Sequence, residues 1–221
     1  MIAEQLQKIY ELMLKRFGPQ NWWPGETPFE VVVGAILTQN TNWTNVEKAI
    51  KNLKSANVLN CNDLYKLDMD KLAELIRPAG YFNIKAKRLK NFIAWLSEDY
   101  QGSLENLSVI PTSMLREELL AIKGIGPETA DSILLYALQR EVFVIDTYTA
   151  RIAIRHHLVD TDTDYHQLQD MFQSNLEPDV QFFNEYHALL VKTAKEFCKT
   201  KPNCADCPLN VLPHTVEREY F

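Results

Sequence analysis

The chain has no surplus of positive charge. It carries 23 Lys and Arg against 29 Asp and Glu, a net charge of −6 and a pI near 5.4. Taken as a whole, that balance argues against nucleic-acid binding. There is no apolar run long enough to cross a bilayer: Phe29 to Thr38, almost wholly apolar, is half of the ~20 residues a spanning helix needs. The first residues lack the layout of a signal peptide. Internal repeats and low-complexity tracts are absent. Cysteine is scarce, with four in 221 residues, and a disulfide framework is not expected. These absences leave a cytoplasmic, non-membrane protein. Its length admits one large domain or two small ones, and 46% hydrophobic residues suffice for a sizeable core.

What is present is unevenly spread. Between Arg77 and Lys90 stand Arg77, Lys85, Lys87, Arg88 and Lys90, with no acid among them. A local basic face of this kind can bind phosphates while the rest of the surface stays acidic; its bland alternative is a solvated helix face. Two of the seven glycines fall within Lys123-Gly124-Ile125-Gly126. Leu119 to Ile122 reads as the end of one helix. Pro127 stands where the next would begin, at a position that tolerates its fixed φ and missing N–H. Ala130, Ile133, Leu134, Ala137 and Leu138 then mark one apolar face. The glycines permit a turn that other residues would strain, and backbone amides at such a turn favour an anion. Val144-Ile145-Asp146-Thr147 follows, with Asp146 placed to cap another helix.

Amphipathic periodicity predicts helices elsewhere. Ala3 to Phe17 places Leu6, Ile9, Tyr10, Met13, Leu14 and Phe17 on one side. Phe29 to Thr38 contains Val31-Val32-Val33, which suggests a strand, but Thr27-Pro28 is helix-opening chemistry and the apolar run continues, so a buried helix is expected. Further helices are expected at Thr44 to Leu53, Asn83 to Leu96, Thr112 to Ile122, Asp146 to His157, Tyr165 to Leu176 and Asn184 to Phe197, with two short ones between Asn60 and Ile76. Gly102 to Pro111 reads as a loop. Trp22, Trp23 and Pro24 lie in a loop; adjacent side chains there diverge, so one tryptophan can face a pocket while the other packs.

The motif Gly124-Ile125-Gly126, its following helix and the run Val144-Ile145-Asp146-Thr147-Tyr148-Thr149-Ala150-Arg151 together resemble the helix–hairpin–helix DNA glycosylases of the endonuclease III superfamily. The resemblance extends from the first helix to Cys207. It implies an all-α fold of two helical lobes with a cleft between them: residues 27–139 with the hairpin, against 1–26 plus 140–221. It implies that Asp146 is the catalytic carboxylate and that double-stranded DNA carrying a damaged base is the partner of a monomeric, nucleoid-associated enzyme. By the same resemblance Gln39 enters the gap left by a flipped base, for which its reach and paired donor and acceptor suit it. Lys85, Lys87 and Arg88, together with Lys123, Gly124, Ile125, Gly126 and Thr129, would contact DNA.

Bifunctional members carry a Schiff-base lysine two residues beyond the second glycine. Here that residue is Glu128, and a carboxylate forms no imine, which implies a glycosylase without lyase activity. The W-W-P loop, the Leu37-Thr38-Gln39-Asn40-Thr41 run and the Arg77 to Leu89 segment resemble the 3-methyladenine glycosylase branch. There Trp22, Trp23, Pro24 and Trp43 would line the base pocket; plain core packing is the other role open to Trp43. Alkylated purines are cationic, which suits stacking on electron-rich rings. Two other functions stay open: excision of oxidised or mismatched bases on the same scaffold, and non-catalytic DNA binding.

Cys198, Cys204 and Cys207 form C-x5-C-x2-C, whereas many family members hold a [4Fe–4S] cluster on C-x6-C-x2-C-x5-C. The first spacing is one residue short and Pro213 stands in place of the fourth cysteine, with His214 beside it able to ligate. The ligand set for a cluster is therefore incomplete; zinc and a metal-free loop are the alternatives.

Overall fold

The computed structural model describes residues 1–22 and 25–216, in which all regular structure is helical. The chain divides into two compact units, Met1–Trp22 with Glu141–Phe221, and Trp23–Arg140. Among the described residues no helix is long and apolar enough to cross a membrane.

The first unit opens with α1 (Ile2–Phe17), which buries Leu6, Ile9 and Met13 and ends at Gly18 in a left-handed conformation, φ 68°. The second unit follows. Its centre is α2 (Pro28–Leu37), capped by Thr27, whose hydroxyl accepts from the Glu30 amide. Val31, Val32, Val33, Ile36 and Leu37 are at most 1% exposed. A helix this apolar must be enclosed on every side, and it packs against α3 (Trp43–Ser55), α6 (Phe82–Tyr100), α8 (Pro127–Ser132) and the π-wound turn Ile133–Ala137. Each buried Val, Ile or Leu contributes roughly 1.5–3 kcal/mol. That burial overrides the strand preference of three successive valines.

Two short helices, α4 (Cys61–Lys66) and α5 (Met69–Leu75), start at the caps Asn60 and Asp68. A 3-10 turn, Arg77–Ala79, leads into α6, and another, Leu104–Leu107, occupies the expected loop before α7 (Thr112–Ala121). Helix α6 runs longer than its periodicity suggested, closing at Gln101 with φ 56°. After the hairpin the structure departs from a one-sided helix. Ile133 through Ala137 are all buried and π-wound, with Leu138 N–H donating to Ile133 O. A segment buried on all sides gains nothing from a strict 3.6-residue stripe.

The chain then returns to the first unit. Helix α9 (Thr147–Arg155) stops two residues before the expected His157, which itself takes a left-handed φ of 60°. Helix α10 (Tyr165–Gln173) is capped by Asp164. Helix α11 (Val180–Glu196) starts earlier than its apolar pattern suggested, because Asp179 caps it through the Phe182 amide at 2.6 Å. It packs on α9 and α1. The core of this unit is aromatic: Phe143 stacks on Phe172 at 4.3 Å and meets Phe183 edge-on. The buried Tyr186 hydroxyl donates to Leu6 O at 2.7 Å.

Candidate functional site

In the first unit, the buried segment Val142 to Ile145 delivers Asp146 to the start of α9. The Asp146 Oδ1 atom accepts from the Thr149 amide at 2.7 Å, so the residue is a helix cap. Its other oxygen, Oδ2, lies 3.6 Å from Nε2 of His187, which projects from α11. Trp22 stacks on the His187 imidazole with centroids 5.7 Å apart and planes 15° from parallel. Burial pushes the Asp146 pKa up, but His187 and the hydrogen bonds from Thr149 outweigh it, and the carboxyl titrates below its ordinary value. Asp146 is therefore an anion at neutral pH. Such a group stabilises developing positive charge better than it donates a proton. Sequence periodicity marked α11 only as a helix; nothing in its spacing singled out His187.

In the second unit, Lys123 and Gly124 make the turn between α7 and α8. Gly124 has φ 100°, and a Cβ there would stand 2.4 Å from Cγ of Arg88. The glycine is thus required both by conformation and by the closeness of α6. Gly126 differs: it is extended, φ −98° and ψ 177°, and a Cβ on it meets nothing within 4 Å, so the strain argument applies to Gly124 alone. Gly124→Ala is expected to cost roughly 1–3 kcal/mol, measurable by urea unfolding, because it combines left-handed backbone with a steric conflict.

Gln39 folds onto this hairpin. Its Nε2 donates to Gly124 O at 3.2 Å and to Thr129 Oγ1 at 2.9 Å, while Arg88 donates to its Oε1. Thr129 and Ile125 are nearly buried, at 7% and 5% exposure, so their side chains do not form an open binding face. Lys123 is exposed, and its carbonyl accepts from Asn91 Nδ2 at 2.8 Å. Glu128 is exposed on the first turn of α8.

The basic helix needs a correction. Lys85 was expected on its phosphate-facing side, yet it is 1% exposed and its ammonium donates to Ala79 O at 2.7 Å. Burial, with Arg88 adding to it, lowers its pKa to about 8. Lys85, Leu89, Phe92 and Leu96 share the buried side of α6, so the lysine pins the preceding 3-10 turn. Lys87 is exposed and Arg88 half-buried. At the start of the same helix, Tyr81 is 71% and Ile84 52% exposed. These two apolar residues were not singled out from sequence; they follow a corner at Gly80 and Tyr81 with φ 70° and 46°.

Trp43, the first residue of α3, is half-buried, with its ring edge against Gly34, where a Cβ would come within 3.0 Å. Trp23 and Pro24 lie outside the described residues.

The C-terminal loop of the first unit brings Cys198, Cys204, Cys207 and His214 around one cavity with His156 and Arg155. Burial raises the Cys198 thiol pKa, only partly offset by Arg155, whose guanidinium donates to its Sγ at 3.1 Å. His214 Nδ1 lies 2.9 Å from Leu212 O. Among the described residues no three His, Cys, Asp or Glu side chains are grouped to hold a metal ion. As folded, this donor set does not fit a four-ligand cluster.

Comparison with known proteins agrees with this fold. Residues 33–178 match the family model described as the HhH-GPD superfamily base excision DNA repair protein. A chain of Methanocaldococcus jannaschii, provisionally named a DNA repair glycosylase, is 50% identical over 208 residues, covering 93% of this chain and 94% of that one. Endonuclease III of Thermotoga maritima is 28% identical over 203 residues, 91% and 89% of the two chains. The crystal structure of the H. pylori 3-methyladenine DNA glycosylase MagIII, bound to 1,N6-ethenoadenine, superposes with a TM-score of 0.76 at 34% identity, covering 88% of this chain and 97% of that one. A helix–hairpin–helix turn, a nearly buried carboxylate at a helix start and this similarity along most of the chain have one reading: the protein belongs to the HhH-GPD superfamily of base excision DNA repair glycosylases.

Proposed function

We propose that the chain is a monofunctional glycosylase that removes alkylated purines, 3-methyladenine-like bases foremost, from double-stranded DNA. The observation that carries this is Asp146, a nearly buried carboxylate kept ionised and standing beside the aromatic stack of Trp22 and His187. Departure of a base leaves positive charge on the sugar, and a fixed anion stabilises it. An alkylated purine is already cationic and needs no general acid, which matches a carboxylate held in its anionic form. The base must leave the stack to be reached. Gln39 is the residue we assign to the vacated space, where it would exchange its hairpin hydrogen bonds for contacts to the opposite base. Lys87, Arg88, Lys123 and the hairpin backbone would hold phosphates, a contact that weakens with salt. Tyr81 and Ile84 add apolar surface beside this basic face. Glu128 stands where a lyase lysine would stand, so no imine is available. The similarity to MagIII supports the same base class.

The test is base release from duplexes each carrying one lesion: 7-methylguanine, 3-methyladenine, 1,N6-ethenoadenine, thymine glycol or a T:G mismatch. Free alkylated purine should appear, the abasic strand should stay whole until alkali is added, and borohydride should trap no complex. Trp43→Ala should lower excision of the cationic bases roughly 2- to 30-fold, the span of a lost cation–π contact. Release of only the oxidised pyrimidine or mismatched thymine, or a borohydride-trapped adduct, would replace this reading with that of a bifunctional or mismatch enzyme.

A further inference from the structure

We propose that His187 is a positioning residue for the reaction. It holds the second oxygen of Asp146 from α11, and Trp22 backs the imidazole, so that carboxylate, imidazole and indole form one preassembled stack. This rests on the assignment of Asp146 as the catalytic carboxylate.

Three observations carry it. First, helix capping explains only half of the carboxylate. The Thr149 amide takes Oδ1 at 2.7 Å, as at any Asp-capped helix. Oδ2 is not used in that cap, and it is the oxygen that His187 approaches, at 3.6 Å. Second, His187 is 4% exposed. A buried imidazole costs desolvation that an aliphatic side chain of similar size would not, so packing alone does not account for it. Third, the imidazole plane is set from outside. The Trp22 ring lies 15° from parallel with it at 5.7 Å, which restricts ring rotation and aims Nε2.

The electrostatic consequence follows. Among the described residues, His187 is the one titratable group that acts on the Asp146 carboxyl; Thr149 contributes hydrogen bonding from α9, and Trp22 carries no charge. Without the imidazole, burial is opposed by the Thr149 hydrogen bonds alone. The carboxyl then protonates at higher pH, and the anion the reaction needs is lost over a wider acid range. At 3.6 Å the pair is longer than a direct hydrogen bond, and catalytic hydrogen bonds of such length often shorten in the substrate complex.

The experiment compares His187→Phe, which keeps a ring for Trp22 to stack on, with His187→Gln, which keeps a donor, and with Asp146→Asn. Single-turnover excision from methylated duplex DNA is followed against pH. DNA affinity, thermal stability and the carbon-13 titration of the Asp146 carboxyl are measured alongside. Residues that orient a metal's ligands are worth ~10- to 100-fold in activity, and a residue that orients a reacting carboxylate is expected to act on the same scale. His187→Phe should lose that much excision at neutral pH with DNA affinity unchanged. Its acid limb and the carboxyl titration should both move to higher pH, and His187→Gln should recover part of each. Combining His187→Phe with Asp146→Asn should add no further loss. An inactive Asp146→Asn beside a His187→Phe with parental rate and acid limb would overturn the proposal alone. Full activity in Asp146→Asn would overturn the catalytic assignment and this role with it. A loss of excision matched by an equal loss of DNA affinity, with an unmoved carboxyl titration, would make His187 a packing residue and also overturn the proposal.

Discussion

Replacing Asp146 by Asn should lower single-turnover base excision by about 10²-fold or more while the protein still folds and still binds DNA. Removing one preorganised electrostatic group from a reacting centre costs on the order of 10² to 10³ in rate. The substitution is chosen because Asn is as good a helix cap as Asp. Its side-chain oxygen can still accept from the Thr149 amide that Oδ1 now engages at 2.7 Å. What is lost is the charge. The pH dependence gives the same test a second reading. The Asp146 carboxyl titrates below its ordinary value in the folded protein, so its anion contributes stability that is present above the unfolded-state pKa. That contribution is lost as pH falls through the folded value. The Asn variant should lack that acid-range loss, and the gap in stability between parent and variant should narrow as the parent protonates. Denaturant midpoints measured from neutral pH into the carboxylate range check this. Parental excision rates in the Asn variant would remove Asp146 from the mechanism.

The helices were legible from sequence because their signals were local. Thr27-Pro28 before α2 and Asp146 before α9 are caps written in one or two residues, and the structure uses both. Residues that answer to distant partners were not legible. Lys85 sits in a basic run that reads as a solvated face, yet its position in register with Leu89, Phe92 and Leu96 turns it into the core. Single-residue charge and helical register disagreed there, and register prevailed because Ala79 O was available to accept a hydrogen bond from its ammonium. His187 lies 41 positions beyond Asp146 on another helix, and no local pattern links the two. Gln39 was legible as a polar residue of the turn after α2. Its hydrogen bonds to a hairpin 85 and 90 positions away were not. The spacing of the C-terminal cysteines suggested a metal site without fixing it, and what spacing could not show is that Arg155, 43 positions before Cys198, donates to its sulfur.

The hairpin itself is held by a pair that sequence did not mark. Asp131 reads as one of the polar positions of the helix after the hairpin, but it is 0% exposed, and Arg116 of α7 grips it with both forks of its guanidinium, Nε to Oδ1 at 2.6 Å and Nη2 to Oδ2 at 2.9 Å. This two-point bond ties the helix before the hairpin to the helix after it, and so fixes the angle at which Lys123 to Gly126 is presented. Whether a buried ion pair stabilises relative to an apolar pair is not the relevant comparison. Removing one partner is, because it leaves an uncompensated charge in the interior. Arg116→Ala removes the charged partner of the fully buried Asp131, and losing one partner of a buried pair costs about 3–5 kcal/mol. Arg116 is 21% exposed, so water reaches part of the pair and the lower end applies. At roughly 2–4 °C per kcal/mol for a chain of this size, the melting temperature should fall by about 6–12 °C. Arg116→Lys keeps the charge but cannot reproduce a bidentate fork, and should fall between parent and Ala. Asp131→Asn removes the anion and leaves a partly exposed arginine, which water can serve, so its loss should be smaller than that of Arg116→Ala. Calorimetry of the three variants orders them, and an Arg116→Ala protein that melts with the parent would mean the pair does not set the stability of the hairpin.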